Sequence, residues 1–130
     1  MTLPETFQGY RRASGRAGIR NRLLILCTCG LNAAQALKVA AALPEAALVL
    51  NLFGRGQVGD DLIYSQRMMR GFATHPNIGA VLVLAPDEAM RATYQDHARA
   101  AGRPAEGVSL EGVGEDGPAI HDAVAVVIVQ

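Results

Sequence analysis

Hydrophobic residues along this chain fall into short runs separated by longer mixed segments. Runs of strand length cover about residues 22–28, 47–52 and 78–84, and the segments between them are long enough for helices. Such alternation is typical of a parallel sheet covered by helices. The pattern therefore predicts a three-layer, Rossmann-like α/β domain with a mostly parallel sheet flanked by helices.

Three segments with helical spacing follow these runs. The first, about 31–43, is rich in alanine, and Pro44 ends it. The second begins at Asp60 and Asp61, because acidic residues suit the positive end of a helix. The third is expected over about 86–101. Apolar side chains of the second helix should face the core: Leu62, Ile63, Met69 and Phe72.

The two ends of the chain differ from this regular middle. We interpret residues 1–21 as an N-terminal arm and residues 22–130 as a single α/β domain, with a short fourth strand at 108–110. The valines of 118–129 favour a strand by composition. A tail this apolar should bury itself in the core or against another chain, so self-association is expected.

Length, charge and hydropathy restrict the classes of protein that fit. A chain of 130 residues suits one domain with a single core. Twelve basic and twelve acidic side chains cancel, so no overall field favours nucleic acid or an anionic membrane. The longest apolar runs are shorter than the roughly 18 residues of a membrane span. We expect a cytoplasmic protein because residues 1–5 lack the features of a secretion signal.

The most distinctive segment is 7–21, which leads directly into the first strand. It reads Phe-Gln-Gly-Tyr-Arg-Arg-Ala-Ser-Gly-Arg-Ala-Gly-Ile-Arg-Asn. Arginines are planar two-pronged donors suited to carboxylates, which makes Arg16, Arg20 and the neighbouring Asn21 candidates for binding an acidic substrate. The alternative is a solvated loop whose arginines pair with nearby acids.

Three loops should meet at the carboxyl edge of the sheet, where open α/β sheets bind ligands: 28–32, 53–61 and 85–89. Thr28 and Asn32 would line a cleft there. The segment from Gly54 to Gly59 matches the dinucleotide fingerprint G-x-G-x-x-G. We expect no dinucleotide, because the loop follows the second strand and the acids at the start of the next helix would repel a pyrophosphate.

These motifs together carry a family resemblance. The pattern Gly-Tyr-x-Arg-x-x-Gly-Arg-x-Gly-x-Arg-Asn at 9–21 resembles the altronate/galactarate dehydratase family, which also includes the large subunit of sulfolactate sulfo-lyase. The segment 51–61 is similar to the family motif His-x-x-Gly-Cys-x-Gln-x-Gly-x-Asp, and His-Pro-Asn at 75–77 matches as well. The resemblance implies a sugar-acid hydro-lyase that uses iron(II) or another divalent metal, and a helix at 118–129.

Most of the metal ligands that the resemblance implies are replaced. Asn51 stands where the family has histidine, and Arg55 stands where it has cysteine. Leu31 and Asp87 occupy the places of two further cysteines. Thiolate and imidazole are the ligands that would hold iron, so we expect a degenerate metal site or none.

Two substitutes for the missing ligands can be considered. Cys27 and Cys29 are two residues apart and therefore face one side of the first strand, where they would be replacement thiolates; two small buried residues are the favoured interpretation. Arg55 places a fixed positive charge at a helix start, where it would hold a carboxylate or phosphate without metal. Asn51, Gly54 and Gly56 belong to the same candidate substrate-binding loop.

Two functions remain open on this basis. In the first, the chain is a domain or subunit of a sugar-acid dehydratase, without the full metal site and not independently active. A base would remove the proton beside the carboxylate and hydroxide would leave, with Gln57 and Asp61 orienting substrate or metal; no base is identified. In the second, it is a non-catalytic small-anion binding or oligomerisation module. Expected partners are a small carboxylate and either further copies of the chain or a completing subunit.

Overall fold

The computed structural model describes residues 2 and 5–110, so the helix expected at 118–129 lies outside the described residues. The strands are β1 (Tyr10–Arg11), β2 (Ala17–Gly18), β3 (Arg22–Cys27), β4 (Ala47–Leu50), β5 (Ile78–Ala85) and β6 (Ala105–Ser109). The helices are α1 (Ala33–Ala42), α2 (Gly59–Ala73) and α3 (Glu88–Ala100), and a 3-10 turn at Gly30–Asn32 precedes α1.

Strands β3 to β6 form one sheet in the order β4-β3-β5-β6, and every neighbouring pair is parallel. The central pair runs in register from Leu23 opposite Ala80 to Cys27 opposite Leu84. Long non-polar runs suit these two strands because each is covered on both faces. The α/β class and the parallel sheet predicted from the sequence are confirmed.

Alternate residues of the central strands serve two separate cores. Leu24 and Leu26 of β3 pack in a cluster with Met69 of α2 and Ala98 of α3. The intervening side chains of β3 and β5 pack on the other face of the sheet with Val39 of α1. Strand side chains alternate between the two faces of a sheet, so these two clusters lie on opposite faces. Helices α2 and α3 cover one face, and α1 covers the other.

The buried face of α2 differs from the one expected. Ser65, Met69 and Ala73 are buried at a spacing of four residues, which places them on one helical face toward the sheet and α3. Ile63 and Phe72 were expected in the core, but 51% and 40% of their surfaces are exposed. That expectation was wrong because both residues lie to the side of this stripe.

The N-terminal arm is folded against the domain. Strands β1 and β2 pair in an antiparallel hairpin. The Arg12 guanidinium donates from Nε to the Pro76 carbonyl at 2.7 Å and from Nη2 to Asn21 Oδ1 at 3.0 Å. These bonds tie the hairpin to the turn that precedes β5.

The His-Pro-Asn segment forms that turn. His75 Nδ1 accepts a hydrogen bond from the Asn77 backbone N–H at 3.1 Å. Asn77 Oδ1 in turn accepts from the backbone N–H groups of Ile19 and Arg20, at 2.9 and 3.3 Å. The arm therefore lies at the amino edge of the sheet, where β3 and β5 begin.

A membrane-spanning helix is not found in the described part of the chain. No helix there combines the length and the apolar character needed to cross a bilayer.

Candidate functional site

The loops after β3 and β4 touch at the carboxyl edge of the sheet. A Cβ atom built on Gly54 would lie 1.8 Å from the Thr28 carbonyl oxygen, so only glycine allows this approach. The Asn51 N–H donates to the Cys27 carbonyl at 2.9 Å, which extends the β3–β4 pairing up to the loop. Thr28 donates both its N–H and its hydroxyl to the Leu84 carbonyl, each at 3.0 Å. The end of β3 is thereby fixed between its two neighbours.

A cleft of about 280 Å³ opens beside this junction, between the ends of the strands and helices α2 and α3. Chain connections leave β3 and β5 toward opposite edges of the sheet, and such switch points are where open α/β sheets bind ligands. Polar and apolar residues both line the cleft: Thr28, Asn51, Gly54, Gln57, Leu62, Ser65, Gln66, Asp87, Ala89, Met90, Thr93 and Tyr94. Among these described residues there is no arginine, lysine or histidine.

Four of the residues predicted from the sequence line the cleft: Thr28, Asn51, Gly54 and Gln57. The Asn51 amide donates to Ser65 Oγ at 2.9 Å, which joins the end of β4 to α2. Gln57 Oε1 is buried and has no hydrogen-bond partner in the described part of the chain. An unpaired buried acceptor costs free energy, so this atom is ready to accept a bond from a ligand or water.

Asn32 is buried close to the same edge but does not line the cleft. Its side-chain amide donates to Gln35 Oε1 at 3.0 Å and to the Ala85 carbonyl at 3.1 Å. These bonds attach the start of α1 to the end of β5, and Asn32 Oδ1 has no partner within residues 5–110.

Three further predicted residues lie near the cleft without lining it. Arg55 and Gly56 are exposed in the loop before α2. Asp61 is exposed in the first turn of α2, beside Asp60. The positive charge of Arg55 is therefore outside the cleft, at the surface of the domain.

The candidate carboxylate-binding residues of the arm lie at the opposite edge of the sheet. Arg16, Arg20 and Asn21 precede β3, whereas Thr28 follows it. A six-residue strand separates the two groups by about 20 Å. The structure does not bring these residues together, and one small acid cannot contact both groups within a single copy of the domain.

Comparison with known proteins identifies the family of this chain. A family model described as "D-galactarate dehydratase/Altronate hydrolase, second domain" matches residues 9–128. The chain belongs to this family. The resemblance that the motifs indicated is therefore confirmed, and the cleft lies within the matched residues.

Individual relatives agree with that assignment. The beta subunit of (2R)-sulfolactate sulfo-lyase from Chromohalobacter salexigens is 36% identical over 120 residues, which cover 92% of this chain and 30% of the relative. Altronate dehydratases from Escherichia coli and Bacillus subtilis are 37% and 34% identical over 59% and 61% of this chain, and 18% of each relative is covered. The chain thus spans less than a third of these relatives. No solved structure matches it.

The described residues do not fit the metal that the family resemblance implies. Within residues 5–110, no three His, Cys, Asp or Glu side chains converge as metal ligands. Asp87, the carboxylate of the cleft, accepts a hydrogen bond through Oδ1 from the Met90 N–H at 2.8 Å and caps α3. This bond competes with any metal for that oxygen.

The two cysteines are also unsuited to replace the missing ligands. Both are buried, and Cys27 Sγ donates to the Cys29 carbonyl at 3.1 Å. Burial raises the pKa of the Cys27 thiol, an effect that the hydrogen bond to Cys29 opposes and the nearby Cys29 thiol reinforces. A thiol held in its neutral form is a poor ligand, since metals bind the thiolate.

Several cleft residues were missed in the sequence. Ser65 and Gln66 come from α2, and Thr93 and Tyr94 come from α3. No motif marks them, but Ser65 lies on the buried face between Leu62 and Met69, where a polar residue is unusual. A polar residue within an apolar helical stripe was the one signal available.

Proposed function

We propose that this chain forms the second-domain unit of a lyase of the galactarate/altronate dehydratase family that acts on a small hydroxy acid. Its cleft at the carboxyl edge of the sheet would form one wall of the substrate site. Further polypeptide, either another domain or a partner subunit, would complete that site. On this proposal, the chain has no turnover by itself.

The chemistry of the cleft carries the proposal. Elimination beside a carboxylate needs a base to remove a proton and a positive group to stabilise the developing enediolate. The described lining has neither a cation nor a set of metal ligands, and its carboxylate, Asp87, is engaged as a helix cap. What it does offer is hydroxyl and amide groups in fixed positions, which suit binding and orienting a substrate.

The choice of a hydroxy acid rests on the relatives. One relative is named for (2R)-sulfolactate and two are named for altronate. Both compounds carry a hydroxyl beside the carboxylate. Because the relatives are more than three times as long as the segment they share with this chain, the remaining catalytic groups have ample chain from which to come.

Turnover and ligand binding by the purified chain test this proposal. The protein is incubated anaerobically with altronate, galactarate or (2R)-sulfolactate, with and without iron(II), and the 2-keto acid product and released sulfite are measured. We expect no turnover under any condition. Thermal unfolding is measured in parallel, because a ligand that binds the folded state raises the melting temperature.

The two measurements separate the possible results. A rise in melting temperature with one hydroxy acid, independent of iron(II), supports a substrate-binding unit without its own metal site. A rise that requires iron(II), or turnover by the chain alone, contradicts the proposal of an incomplete site. Absence of any rise with all three acids contradicts the proposed role in substrate binding.

A second candidate role, assembly with another chain, is favoured by the apolar surface of α2. Tyr64, Met68 and Phe72 are at least 40% exposed and share one face at a spacing of four residues. Phe53 and Val58, in the loop before α2, are more than 70% exposed. Exposed apolar residues grouped in this way are typical of interaction surfaces.

Sedimentation velocity over a range of protein concentrations tests assembly. We expect self-association that Tyr64→Lys weakens, with Gln8→Lys, a substitution in the exposed arm, as the control. A monomer at every concentration would exclude the homo-oligomer and leave a different subunit as the partner.

A further inference from the structure

The outer edge of β4 is open in the described part of the chain. Strand β4 pairs there with β3 alone, at one end of the order β4-β3-β5-β6. The N–H of Asn51 bonds to the Cys27 carbonyl of β3. Peptide groups alternate in direction along a strand, so Val49 also faces β3, whereas Leu48 and Leu50 face away from it. The N–H and C=O groups of these two leucines therefore lie at an edge without a strand partner.

Strand β4 lacks the features that usually keep an edge strand from pairing. Its sequence is Ala-Leu-Val-Leu, and each of the four residues is at least partly exposed. Leu50 is 37% exposed. Charged side chains, prolines and bulges commonly block edges, and β4 contains none of them. This edge is therefore suited to pairing with a strand of another chain.

We propose that β4 is an interface between two copies of this chain, in which the two β4 strands pair antiparallel about a two-fold axis at Val49. In this register Leu48 of one copy lies opposite Leu50 of the other. Both leucines face the open edge, so each such pair exchanges both of its N–H···O=C bonds. The edge is thus complementary to itself, which is the condition for a two-fold interface and favours a second copy over an unrelated strand.

Helix α1 suits the same arrangement. It packs on β3 and β4, and its one charged residue is Lys38. Leu37 is 54% exposed, and Ala34 and Ala41 are exposed as well. A two-fold axis perpendicular to the sheet keeps both copies of α1 on the same face, about two strand spacings or ~10 Å apart. Packed helices lie at this distance, and the small alanine side chains of α1 allow it.

Sedimentation velocity of the full chain over a range of concentrations measures this pairing. We expect a monomer–dimer equilibrium that Leu50→Pro weakens roughly tenfold or more, because proline removes the N–H that Leu50 donates to the second copy. The bonds of Val49 and Asn51 to β3 do not use this N–H, and proline is tolerated on edge strands. Leu50→Val is the matched control, since it keeps the N–H and a non-polar side chain and should leave dimerisation unchanged.

Amide hydrogen exchange, followed by NMR, tests the register on the unaltered chain. The Val49 N–H faces β3 and should exchange slowly at every concentration. The N–H groups of Leu48 and Leu50 should exchange rapidly in the dilute monomer and slowly in the dimer. Within β4, protection that is lost on dilution only at these two leucines supports the pairing about Val49. Circular dichroism melting confirms that each variant is folded.

Defined outcomes overturn the β4 interface. A monomer at every concentration would do so, as would a dimer whose Leu48 and Leu50 amides exchange rapidly, or unchanged association in Leu50→Pro. Association that Tyr64→Lys abolishes and Leu50→Pro leaves intact would assign assembly to α2 instead. The two leucines do not line the cleft, so the interface goes beyond the proposed function. That function fails on different results, namely turnover by the chain alone or an iron-dependent shift in melting.

Discussion

Gly54 and Thr28 are in contact through their backbones, with a Cβ built on Gly54 only 1.8 Å from the Thr28 carbonyl oxygen. Thr28 directly follows β3 and is bonded to the Leu84 carbonyl of β5. One contact between two loops thus places the Gln57 segment beside the cleft and fixes the cleft's shape.

Replacing Gly54 with alanine should therefore be costly. The new methyl group has no room, and the backbone oxygen that it meets cannot rotate away, so the loop must move. We expect a loss of about 2–3 kcal/mol in the free energy of unfolding, measured by urea denaturation, together with loss of ligand binding. Gly56→Ala is the control, since the nearest atom to its Cβ, the Phe53 oxygen, lies 3.9 Å away. Equal stability of the two variants would refute the proposed contact.

Two adjacent methionines of α2 should differ sharply in their contribution to stability. Met69 is fully buried in the core between the sheet and the helices, whereas Met68 is 52% exposed. Met69→Ala leaves a cavity and should cost about 2–5 kcal/mol. Met68→Ala should change the free energy of unfolding by less than about 0.5 kcal/mol. A comparable loss in both variants would mean that the buried face of α2 is assigned incorrectly.

Arg12 should control the attachment of the N-terminal hairpin. Its guanidinium bonds to Pro76 and Asn21, and hydrogen bonds from charged groups contribute about 1.5–3 kcal/mol. In Arg12→Ala we expect faster tryptic cleavage after Arg16 and Arg20, with little change in the melting of the core. Arg11→Ala removes an exposed neighbouring arginine and one trypsin site as well, so it is the matched control. Unchanged cleavage in Arg12→Ala would show that other contacts hold the hairpin.

His97 should lower the free energy of unfolding as the pH falls below neutral. Burial, assisted by the Arg70 guanidinium, lowers the pKa of His97 below its usual value. The unfolded chain therefore takes up a proton before the folded chain does as pH falls through about 6.5. Stability should decrease over that range and the effect should be absent above about pH 7.5.

The His97→Gln variant isolates this effect because glutamine stays neutral. Urea denaturation of both proteins between about pH 7.5 and pH 5 gives the difference in free energy of unfolding. We expect the difference to move in favour of the variant as pH falls. A difference that stays constant across this range would show that His97 has the same pKa in the folded and unfolded states.

The layered fold could be predicted from local sequence because its causes are local. After the exposed Arg22, the strands Arg22–Cys27 and Ile78–Ala85 contain only non-polar residues, and such runs suit strands covered on both faces. The start of β6 at Ala105 was missed, since Ala105-Glu106-Gly107 has weak strand propensity. The length of β6 is set by its pairing with β5, from Ala105 opposite Val81 to Ser109 opposite Ala85. This pairing joins residues far apart in the sequence, so local propensity does not show it.

The burial of α2 shows the same limit. Its sequence has apolar residues on more than one side, so periodicity alone left Ile63 and Phe72 as core candidates. Packing of α2 against the sheet and α3 selected the stripe through Met69. Which side of a helix is covered depends on its neighbours in space.

The sequence by itself determined the family, the parallel α/β layering and the loop that carries Gly54 and Gln57, because these follow from motifs and apolar periods within short stretches. Only the tertiary structure decided which candidates share a site. It placed Thr28, Asn51 and Gln57 in one cleft and put Arg16, Arg20 and Asn21 at the other edge. The physical reason is that a strand separates residues close in sequence by its length, while the parallel sheet brings the ends of distant strands together.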